Sequence, residues 1–487
     1  MNHRSDLETD GEPDFDNVNR SESECLVGWD DDNDPLKPSN WSNARKVKNI
    51  APLVYCSFLT PLGSTMFAPA IEQVTKSFDS TNSLLSSFSV SVWILGYFVG
   101  PLFLAPLSEM HGRFPVYMVC NALFVVFNVA TAVAPSLPAL IVFRFLAGMF
   151  GGCPLVVGAG TLGDLIKPLN RGKVIALWSI SVILGPIIGP IAGGYMGETV
   201  GWRWICWTLS IAAGFGAVVA FIFQEETYPL ILLQRKAARL RKETGDSSLR
   251  AAAKPERNAA QIFARSIIRP LRLLFLSPIV SLLSLYQGVM YGYLYLLFTT
   301  FPTVFRNRYG FSAGSIGLVY IGLGVGSGIS VPIVGFVMDH TAKSVIRKGR
   351  ELNPEHRLIP LLPVCFCMPI GLFWYGWAAE AKTHWVVPIL GTVFVGMGIN
   401  TLIMCAMTYL IDAHPLYEAS AAAAGAATRS LIGAVLPLAG TSMYEALGLG
   451  WGNSLLGFLA LIMCPLPWFF YKYGGRIRTN PQFQLKL

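Results

Sequence analysis

The sequence has little charge, since only 14% of its 487 residues are Asp, Glu, Lys or Arg. Soluble domains carry about 25%, so a water-soluble chain of this length would lack the polar residues needed to cover its surface. This scarcity argues against an ordinary multidomain soluble protein. The chain also lacks a Gly-x-x-x-x-Gly-Lys-Ser/Thr run, which argues against a pump driven by ATP.

Patterns typical of catalysis and metal binding are missing as well. The six histidines lie mostly in tails and loops without catalytic spacing, so no enzyme activity is expected. The nine cysteines are scattered, and Cys365 and Cys367 are too close together for a zinc-type pair. We therefore expect no metal, no cofactor and no disulfide framework. The acidic N-terminus does not resemble a cleavable signal peptide.

What the chain has in abundance is apolar sequence, at 53% of residues and in long blocks. A helix of about 20 apolar residues crosses a bilayer. The predicted fold class is therefore an all-α polytopic membrane protein with 12 transmembrane helices in two six-helix bundles, residues 48–223 and 278–473, joined by a basic loop at 224–277. The predicted spans, numbered one to twelve, are 48–70, 86–107, 115–134, 138–163, 172–196, 203–223, 278–302, 314–338, 358–379, 384–411, 416–446 and 450–472.

The distribution of charge predicts the orientation. The net charge of +8 reflects Lys and Arg that cluster beside the ends of apolar blocks, which indicates cytosolic termini and no nucleic-acid partner. Residues 1–47 form an acidic tail that is predicted to be disordered, and residues 474–487 form a short second tail. Leu232–Lys242 has apolar and basic residues at helical spacing. It is either an amphipathic helix on the inner membrane surface or a solvated linker helix.

Two loops repeat one pattern. The loop after span two reads A-P-L-S-E-M-H-G-R over Ala105–Arg113, with a carboxylate at Glu109, a glycine turn and a cation at Arg113. The corresponding loop of the second half reads G-F-V-M-D over Gly335–Asp339. A small residue four positions before an acid occurs in both loops. Such a repeat between two halves is typical of secondary transporters.

Span four contains Arg144 in the middle of an apolar block. Placing an arginine at a helix centre costs about 2.5–3.5 kcal/mol on insertion scales, so the residue is a functional candidate. The alternative is a structural arginine that donates to backbone carbonyls or extends towards the membrane surface.

Span five contains a run of small residues with the sequence G-P-I-I-G-P-I-A-G-G. Its first, fifth and ninth residues are glycines, so one helix face is almost bare backbone and allows another helix to approach closely. The prolines remove backbone donors and bend the helix. This helix-packing motif consists of Gly185, Pro186, Gly189, Pro190, Gly193 and Gly194.

Together these motifs resemble those of the major facilitator superfamily. Ala105–Arg113 resembles its loop motif G-x-L-a-D-r-x-G-r, with Ala and Glu in place of Gly and Asp, and matches the A-P-L-S-E-x-x-G-R of fungal drug:proton antiporters. Arg144–Gly152 resembles the second motif of the family, and Gly185–Gly194 resembles the antiporter motif that marks exporters. Asp34–Ser42 is similar to the opening segment of fungal members.

The resemblance implies a proton-coupled exporter of drug-like or secondary-metabolite compounds, of the multidrug-resistance type, that works by alternating access. The alternatives are an organic-acid or polyamine transporter of the same fold, including one that works in uptake, and a packing role of span five that does not set direction. Expected partners are membrane lipid, a small-molecule substrate and protons. A monomer in the cell membrane is expected, with a vacuolar or vesicle membrane as the alternative.

The major facilitator fold places spans five and eight opposite each other across the two halves. Span eight carries Gly322, Gly324, Gly326 and Gly328, and two glycine-rich faces would form a smooth surface for rocking, or simply pack closely. The candidate substrate cavity consists of Trp178, Tyr286, Gln287, Met290, Tyr291, Asn400 and Thr401. The candidates for proton coupling or gating are Arg144, Glu109, Arg113, Asp164, Asp339 and Arg429. No carboxylate lies deep in a span, which disfavours a polyamine, while Arg144 and Arg429 leave an anionic substrate open.

Overall fold

The computed structural model describes residues 26–480 except 32, 81, 253–258, 350–352 and 415–416. Long apolar stretches form helices because a helix satisfies every backbone donor and acceptor within itself, without help from water. Among the described residues the only strands are Leu26–Val27 and Arg250–Ala251, which pair in parallel.

The first half contains six spans. They are Asn43–Thr65, Ser83–His111, Arg113–Ala132, Leu137–Gly151 continued by Cys153–Leu165, Pro168–Thr199, and Trp202–Phe223. The short helices Ala68–Ala70 and Ile71–Ser77 connect span one to span two. Two further helices, Pro229–Thr244 and Ala259–Leu276, lie in the linker between the halves.

The second half begins at Pro278. Spans seven to ten are Pro278–Tyr309, Ala313–Val319 continued by Ile321–Arg347, Leu361–Val364 continued by Cys367–Glu380, and Val386–Ala413. A short helix, Pro354–Leu358, precedes span nine. The remaining helical segments are Glu418–Val435, Leu436–Ala439, Gly440–Met463 and Pro465–Thr479.

A break at Gly448 separates spans eleven and twelve. Its φ of 73° and ψ of 175° are not helical, although helix continues on both sides. The Glu380 carboxylate accepts hydrogen bonds from the amides of Leu449 (2.8 Å) and Gly450 (3.3 Å), and so caps the helix that starts there. Within the described residues, 11 helices are long and apolar enough to cross a membrane, and the last of them runs over 60 residues, Ser420–Thr479. Divided at Gly448, it provides two spans, which agrees with the twelve predicted.

Each half has six spans, which is an even number. The first span of a half therefore begins on the same side of the membrane on which its last span ends. Arg45 at the start of span one pairs with Glu225 just after span six, with Nε and Oε1 3.0 Å apart. Arg478 at the end of span twelve lies 3.6 Å from Glu355, just before span nine. We call this end of the bundles, with residues 42, 224, 277 and 480, the tail face, and the opposite end the far face.

The N-terminal tail differs from the sequence prediction where the structure describes it. Residues 1–25 lie outside the described residues, but Asp34 is only 2% exposed and Val27 is buried. Lys236 of the linker helix Pro229–Thr244 donates to the carboxylates of Asp30 (2.6 Å) and Asp34 (3.0 Å). Disorder through residue 47 was therefore the wrong prediction for this part, because a buried ion pair between Lys236 and Asp34 and an exposed one between Lys236 and Asp30 hold it on the linker. We call this contact the tail clip.

We expect Lys236→Ala to open the tail clip. The variant leaves the Asp34 carboxylate buried without its cation, and hydrogen bonds to charged groups are worth about 1.5–3 kcal/mol. Hydrogen exchange of the amides in residues 26–34 and 250–252 should accelerate at least about tenfold. Arg239→Ala is the control, since Arg239 pairs with Glu243 on the same helix in full exposure. Equal exchange in both variants would contradict the clip.

The tail clip should not depend on pH between about 5 and 8. Burial raises the pKa of Asp34, but hydrogen bonds from the Asp30 and Leu36 amides and from Lys236 outweigh it and hold the pKa below its ordinary value of 3.8. Because the pKa of Asp34 is lowered in the folded protein, its carboxylate stabilises the fold at every pH above 3.8. This stabilisation is lost only as the pH falls through the lowered pKa. The pKa of Lys236 is raised above 10.5, because its hydrogen bonds to Asp30 and Asp34 outweigh burial. The stabilisation that Lys236 contributes is thus lost only as the pH rises above 10.5 and through its raised pKa.

Candidate functional site

The two halves meet at the far face through polar contacts. The Glu198 carboxylate, at the end of span five, accepts hydrogen bonds from the Ser312 hydroxyl (2.9 Å) and the Gly314 amide (2.7 Å) at the start of span eight. Arg306, near the end of span seven, forms an ion pair with Glu72 of the short helix after span one. Each contact joins opposite halves, so the far face is closed in this conformation.

Further contacts between the halves lie deeper. The Ser91 hydroxyl of span two donates to the Ala434 carbonyl of span eleven at 2.8 Å. The hydroxyls of Ser64 in span one and Tyr295 in span seven lie 2.9 Å apart. The halves are thus joined over the part of the spans that is nearer the far face.

Spans five and eight face each other, as the resemblance implies. A Cβ added at Gly317 would lie 2.5 Å from the Pro190 carbonyl oxygen. One added at Gly194 would lie 2.5 Å from the Ala313 carbonyl oxygen. Main chain therefore packs against main chain where the two halves close, and larger side chains would keep the helices apart.

The regularly spaced glycines of span five have another partner. A Cβ at Gly185 or Gly189 would lie 2.8 Å from main-chain atoms of Leu62 in span one, and one at Gly193 would overlap the Met66 carbonyl. The expectation that this row slides against span eight was wrong. Residues four apart share one face of a helix, and this face points into the first half, while the neighbouring face meets span eight.

The glycines of span eight are divided in the same way. Gly324 faces span five, where a Cβ would lie 2.7 Å from the Ile187 side chain. Gly322 and Gly326 pack against span ten inside the second half, and Gly328 has no atom within 4 Å of an added Cβ. Of the four glycines, only Gly324 lies on the predicted surface.

Arg144 is only 2% exposed and is bonded to backbone carbonyls. Its Nε donates to the Ser89 carbonyl (2.7 Å) and its Nη2 to the Ser64 carbonyl (3.4 Å). Its Cζ lies 4.2 Å from the ring centroid of Phe67 and 5.1 Å from that of Trp93, both within cation–π distance. Arg144 therefore connects span four to spans one and two, as the structural alternative predicts. Its part in proton coupling stays a proposal.

Arg429 in span eleven has different surroundings. Its Cζ lies 5.3 Å from the ring centroid of Tyr291 in span seven, and its Nε is buried without a hydrogen-bond partner in the described structure. Tyr291 packs against Tyr295 with ring centroids 5.1 Å apart. The hydroxyl of Tyr97, in span two, is also buried without a partner. Arg429 and these tyrosines form the central cluster.

The other predicted cavity residues have mainly local partners. The Trp178 indole N–H donates to the Ser57 hydroxyl at 2.8 Å, within the first half. Gln287 lies 3.4 Å from the Ile403 carbonyl and Asn400 lies 3.5 Å from the Gly396 carbonyl, both in span ten. Met290 and Thr401 are buried without such a bond in the described structure, whereas the buried Tyr286 has Cys464 of span twelve as its side-chain partner. Tyr291 is the predicted cavity residue that the structure places beside Arg429.

The loop motif after span two forms a polar cluster at the tail face. Arg113 lies 3.4 Å from Asp164 and donates to the Ser108 hydroxyl at 2.6 Å. Glu109 and, in the second half, Asp339 are exposed and form no ion pair among the described residues. The four predicted gating residues at the tail face therefore divide into one ion pair, Arg113 with Asp164, and two carboxylates without an ion pair, Glu109 and Asp339.

Glu226 is a member of this cluster that sequence reasoning missed. Its carboxylate accepts hydrogen bonds from the amides of Arg113 (2.9 Å) and Phe114 (3.2 Å), which are the first of span three. It also accepts from the amides of Thr227 and Tyr228. A carboxylate at a helix N-terminus is favourable, but the two segments lie 113 residues apart, so no local signal revealed the contact.

The described residues contain no group of three or more His, Cys, Asp or Glu that could hold a metal ion. The candidate site consists of the closed far face, the central cluster and the polar cluster of Arg113, Asp164 and Glu226 at the tail face.

Comparisons with known proteins agree with this architecture. The sequence profile described as Major Facilitator Superfamily matches residues 53–437. The MFS-type transporter penM of Penicillium rubens is 49% identical over 460 residues, which cover 94% of this chain and 91% of penM. The efflux pump radE of Floropilus chiversii is 45% identical over 465 residues, covering 95% and 86% of the two chains.

A solved structure shows the same fold at low sequence identity. The partially occluded inward-open conformation of the xylose transporter XylE from E. coli superposes with a TM-score of 0.64 at 16% identity, covering 88% of this chain and 98% of XylE. The superposition shows that the two chains share one fold. The chain therefore belongs to the major facilitator superfamily, and it is a multi-pass membrane transporter, not an enzyme.

Proposed function

We propose that the protein exports small organic compounds, drug-like or secondary metabolites, by alternating access driven by protons. The observation that carries the proposal is the polar seam at the far face, where Glu198 and Glu72 contact the opposite half. Hydrogen bonds and ion pairs between two packed bundles can break and reform as the bundles rock. Packed interfaces of this kind have discrete open and closed arrangements.

The charge pattern supports the membrane orientation. Lys and Arg are concentrated at the tail face, as in the linker helix Pro229–Thr244, and cationic loops favour the cytosol. With the tail face in the cytosol, the far face that is closed in this conformation lies on the outer side of the membrane. A substrate then enters from the cytosol and leaves after the far-face seam opens.

Free carboxylates support proton coupling. Glu109 and Asp339 lie in the tail-face parts of the helices of spans two and eight, without an ion pair in the described structure, whereas Asp164 pairs with Arg113. An unpaired carboxylate can take up and release a proton without breaking a salt bridge. Each proton that enters supplies about 2.3 kcal/mol per 100 mV and about 1.4 kcal/mol per pH unit.

The names of relatives support export. One relative that is 45% identical is named an efflux pump, and others of similar identity are named MFS-type transporters. The antiporter-like motif at Gly185–Gly194 supports the same direction.

The proposal is tested with three fluorescent dyes: fluorescein as an anion, Nile red as a neutral compound and rhodamine 6G as a cation. Cells with and without the protein are loaded, and efflux is followed before and after an ionophore collapses the proton gradient. We expect at least one dye to leave against its gradient only in cells with the protein, and to stop when the gradient collapses. Uphill efflux that persists would reject proton coupling, and accumulation of dye would reject export.

A further inference from the structure

Among the described residues, Asp and Glu lie towards the tail-face and far-face ends of the spans, and the most inward of them, Asp339 of span eight, is exposed. By contrast, Arg144 is buried in span four, and Arg429 is a partly buried residue inside span eleven. A charged side chain at that depth is unfavourable unless its surroundings compensate the charge. Each guanidinium therefore requires a partner.

The first half supplies a partner for Arg144, but the described structure does not supply one for Arg429. Two carbonyl oxygens and two aromatic faces surround the Arg144 guanidinium. Arg429 forms no ion pair among the described residues, and its buried Nε has no acceptor. One aromatic face, that of Tyr291, is its observed contact. Its positive charge is available to a ligand.

The shape of span eleven directs this charge towards span seven. Gly425 and Gly433 lie four residues before and after Arg429, on the same helix face. A Cβ at Gly425 would lie 3.2 Å from Gln287 Oε1, and one at Gly433 would lie 2.9 Å from the Tyr291 ring. Because both neighbours lack a side chain, Arg429 is the one side chain of this stripe that faces span seven.

The surroundings of Arg429 are aromatic and offer a second donor. Tyr291 and Tyr295 present their rings from span seven. Tyr97 approaches from the first half, close enough to Tyr291 and Arg144 for electrostatic interaction, and its hydroxyl lies beside the Trp93 side chain without an acceptor for its own O–H in the described structure. A guanidinium beside tyrosine rings and a free hydroxyl suits a ligand with an aromatic body and an acidic group.

We infer that Arg429 binds the acidic group of an aromatic organic acid, a carboxylate or a phenolate, with Tyr291, Tyr295 and Tyr97 around the ring. The inference rests on the proposed export function, because it names the class of compound that is exported. The planar guanidinium matches a carboxylate with paired hydrogen bonds, which a lysine does not reproduce. A cationic cargo such as a polyamine would be repelled from the same site.

The test compares three ligands with one aromatic body and different charge: 1-naphthoate, 1-naphthamide and 1-naphthylmethylammonium. Binding to the purified full-length protein is measured by isothermal titration calorimetry. We expect naphthoate to bind, the amide to bind about tenfold or more weakly and the ammonium compound not to bind. Arg429→Gln should weaken naphthoate binding about 10- to 100-fold, and Arg429→Lys should weaken it less. Arg347→Gln removes an exposed arginine at the tail face and should leave the affinity unchanged.

Three results would overturn the inference: equal binding of the three ligands, no naphthoate binding by folded protein, or unchanged affinity in Arg429→Gln. If Arg429→Gln does not elute as a folded species, the charge series on the unaltered protein and on Arg429→Lys decides. Naphthoate binding without outward transport would reject the proposed export and leave the anion site standing. Export of all three dyes at equal rates would reject the anion site and leave export standing.

Discussion

Gly317→Leu is expected to hold the far face open and to remove most of the transport activity. Gly317 packs against the main chain of span five, where even a Cβ would lie 2.5 Å from the Pro190 carbonyl oxygen and 2.8 Å from the Ile191 Cα. A leucine there penalises only the closed conformation, by about 1–3 kcal/mol. At the upper limit the equilibrium between closed and open far faces shifts about 100-fold, so transport should fall to a few per cent.

The measurement for Gly317→Leu combines dye efflux with distances between spin labels at the exposed positions 200 and 381, on opposite halves of the far face. The labels are introduced after the native cysteines have been replaced. The label distance should increase while the amount of protein in the membrane stays near normal. Gly328→Leu is the matched control, because Gly328 lies in the same span with no atom within 4 Å of an added Cβ. Unchanged distance and transport in Gly317→Leu would contradict this account of closure.

Gly193→Leu is expected to impair assembly of the first half rather than its movement. A Cβ at this position would overlap the Met66 carbonyl of span one, so spans one and five would have to separate along their main chains. Both spans belong to the same half, so we expect the clash to persist when the two halves rock against each other. Overpacking of this kind costs about 3 kcal/mol or more, which lowers the abundance of folded protein several-fold.

The two glycine variants are therefore distinguished by whether folded protein still reaches the membrane. Membrane delivery, measured by surface labelling and gel filtration in detergent, should fall for Gly193→Leu and persist for Gly317→Leu. A Gly193→Leu protein that reaches the membrane normally but does not transport would show that the span-five row takes part in movement after all.

The architecture was largely predictable from the sequence because the length of an apolar run is a local property. Twelve apolar blocks predicted twelve spans. The helix break at Gly448 falls between the predicted end of span eleven at 446 and the predicted start of span twelve at 450. The linker was harder to predict, since the helix Ala259–Leu276 lies in a stretch that looks polar overall, and one of its faces is apolar. Whether the helix at Leu232–Lys242 lies on the membrane surface or in solvent stays a prediction, and the sequence did not reveal that its Lys236 binds the tail.

The candidate site was predictable as a set of residue types but not as a set of contacts. Arg144 was singled out because a charge inside an apolar block is unfavourable, and the span-seven tyrosines were singled out because an aromatic wall suits an organic substrate. The sequence did not reveal that Arg144 is compensated by two carbonyls of its own half while Arg429 lacks such partners. Both are arginines inside apolar helices, and only their neighbours distinguish them.

By itself the sequence determined the class of protein, the number of spans and the family. The length of each apolar run and the spacing of residues within each motif are local properties that can be read directly from the sequence. Only the tertiary structure decided that the glycine row of span five packs on span one, that Glu226 caps span three and that Asp34 is buried against Lys236. Each of these depends on residues far apart in the chain. A helix has several faces, and which face meets which neighbour is settled only when all the spans pack together.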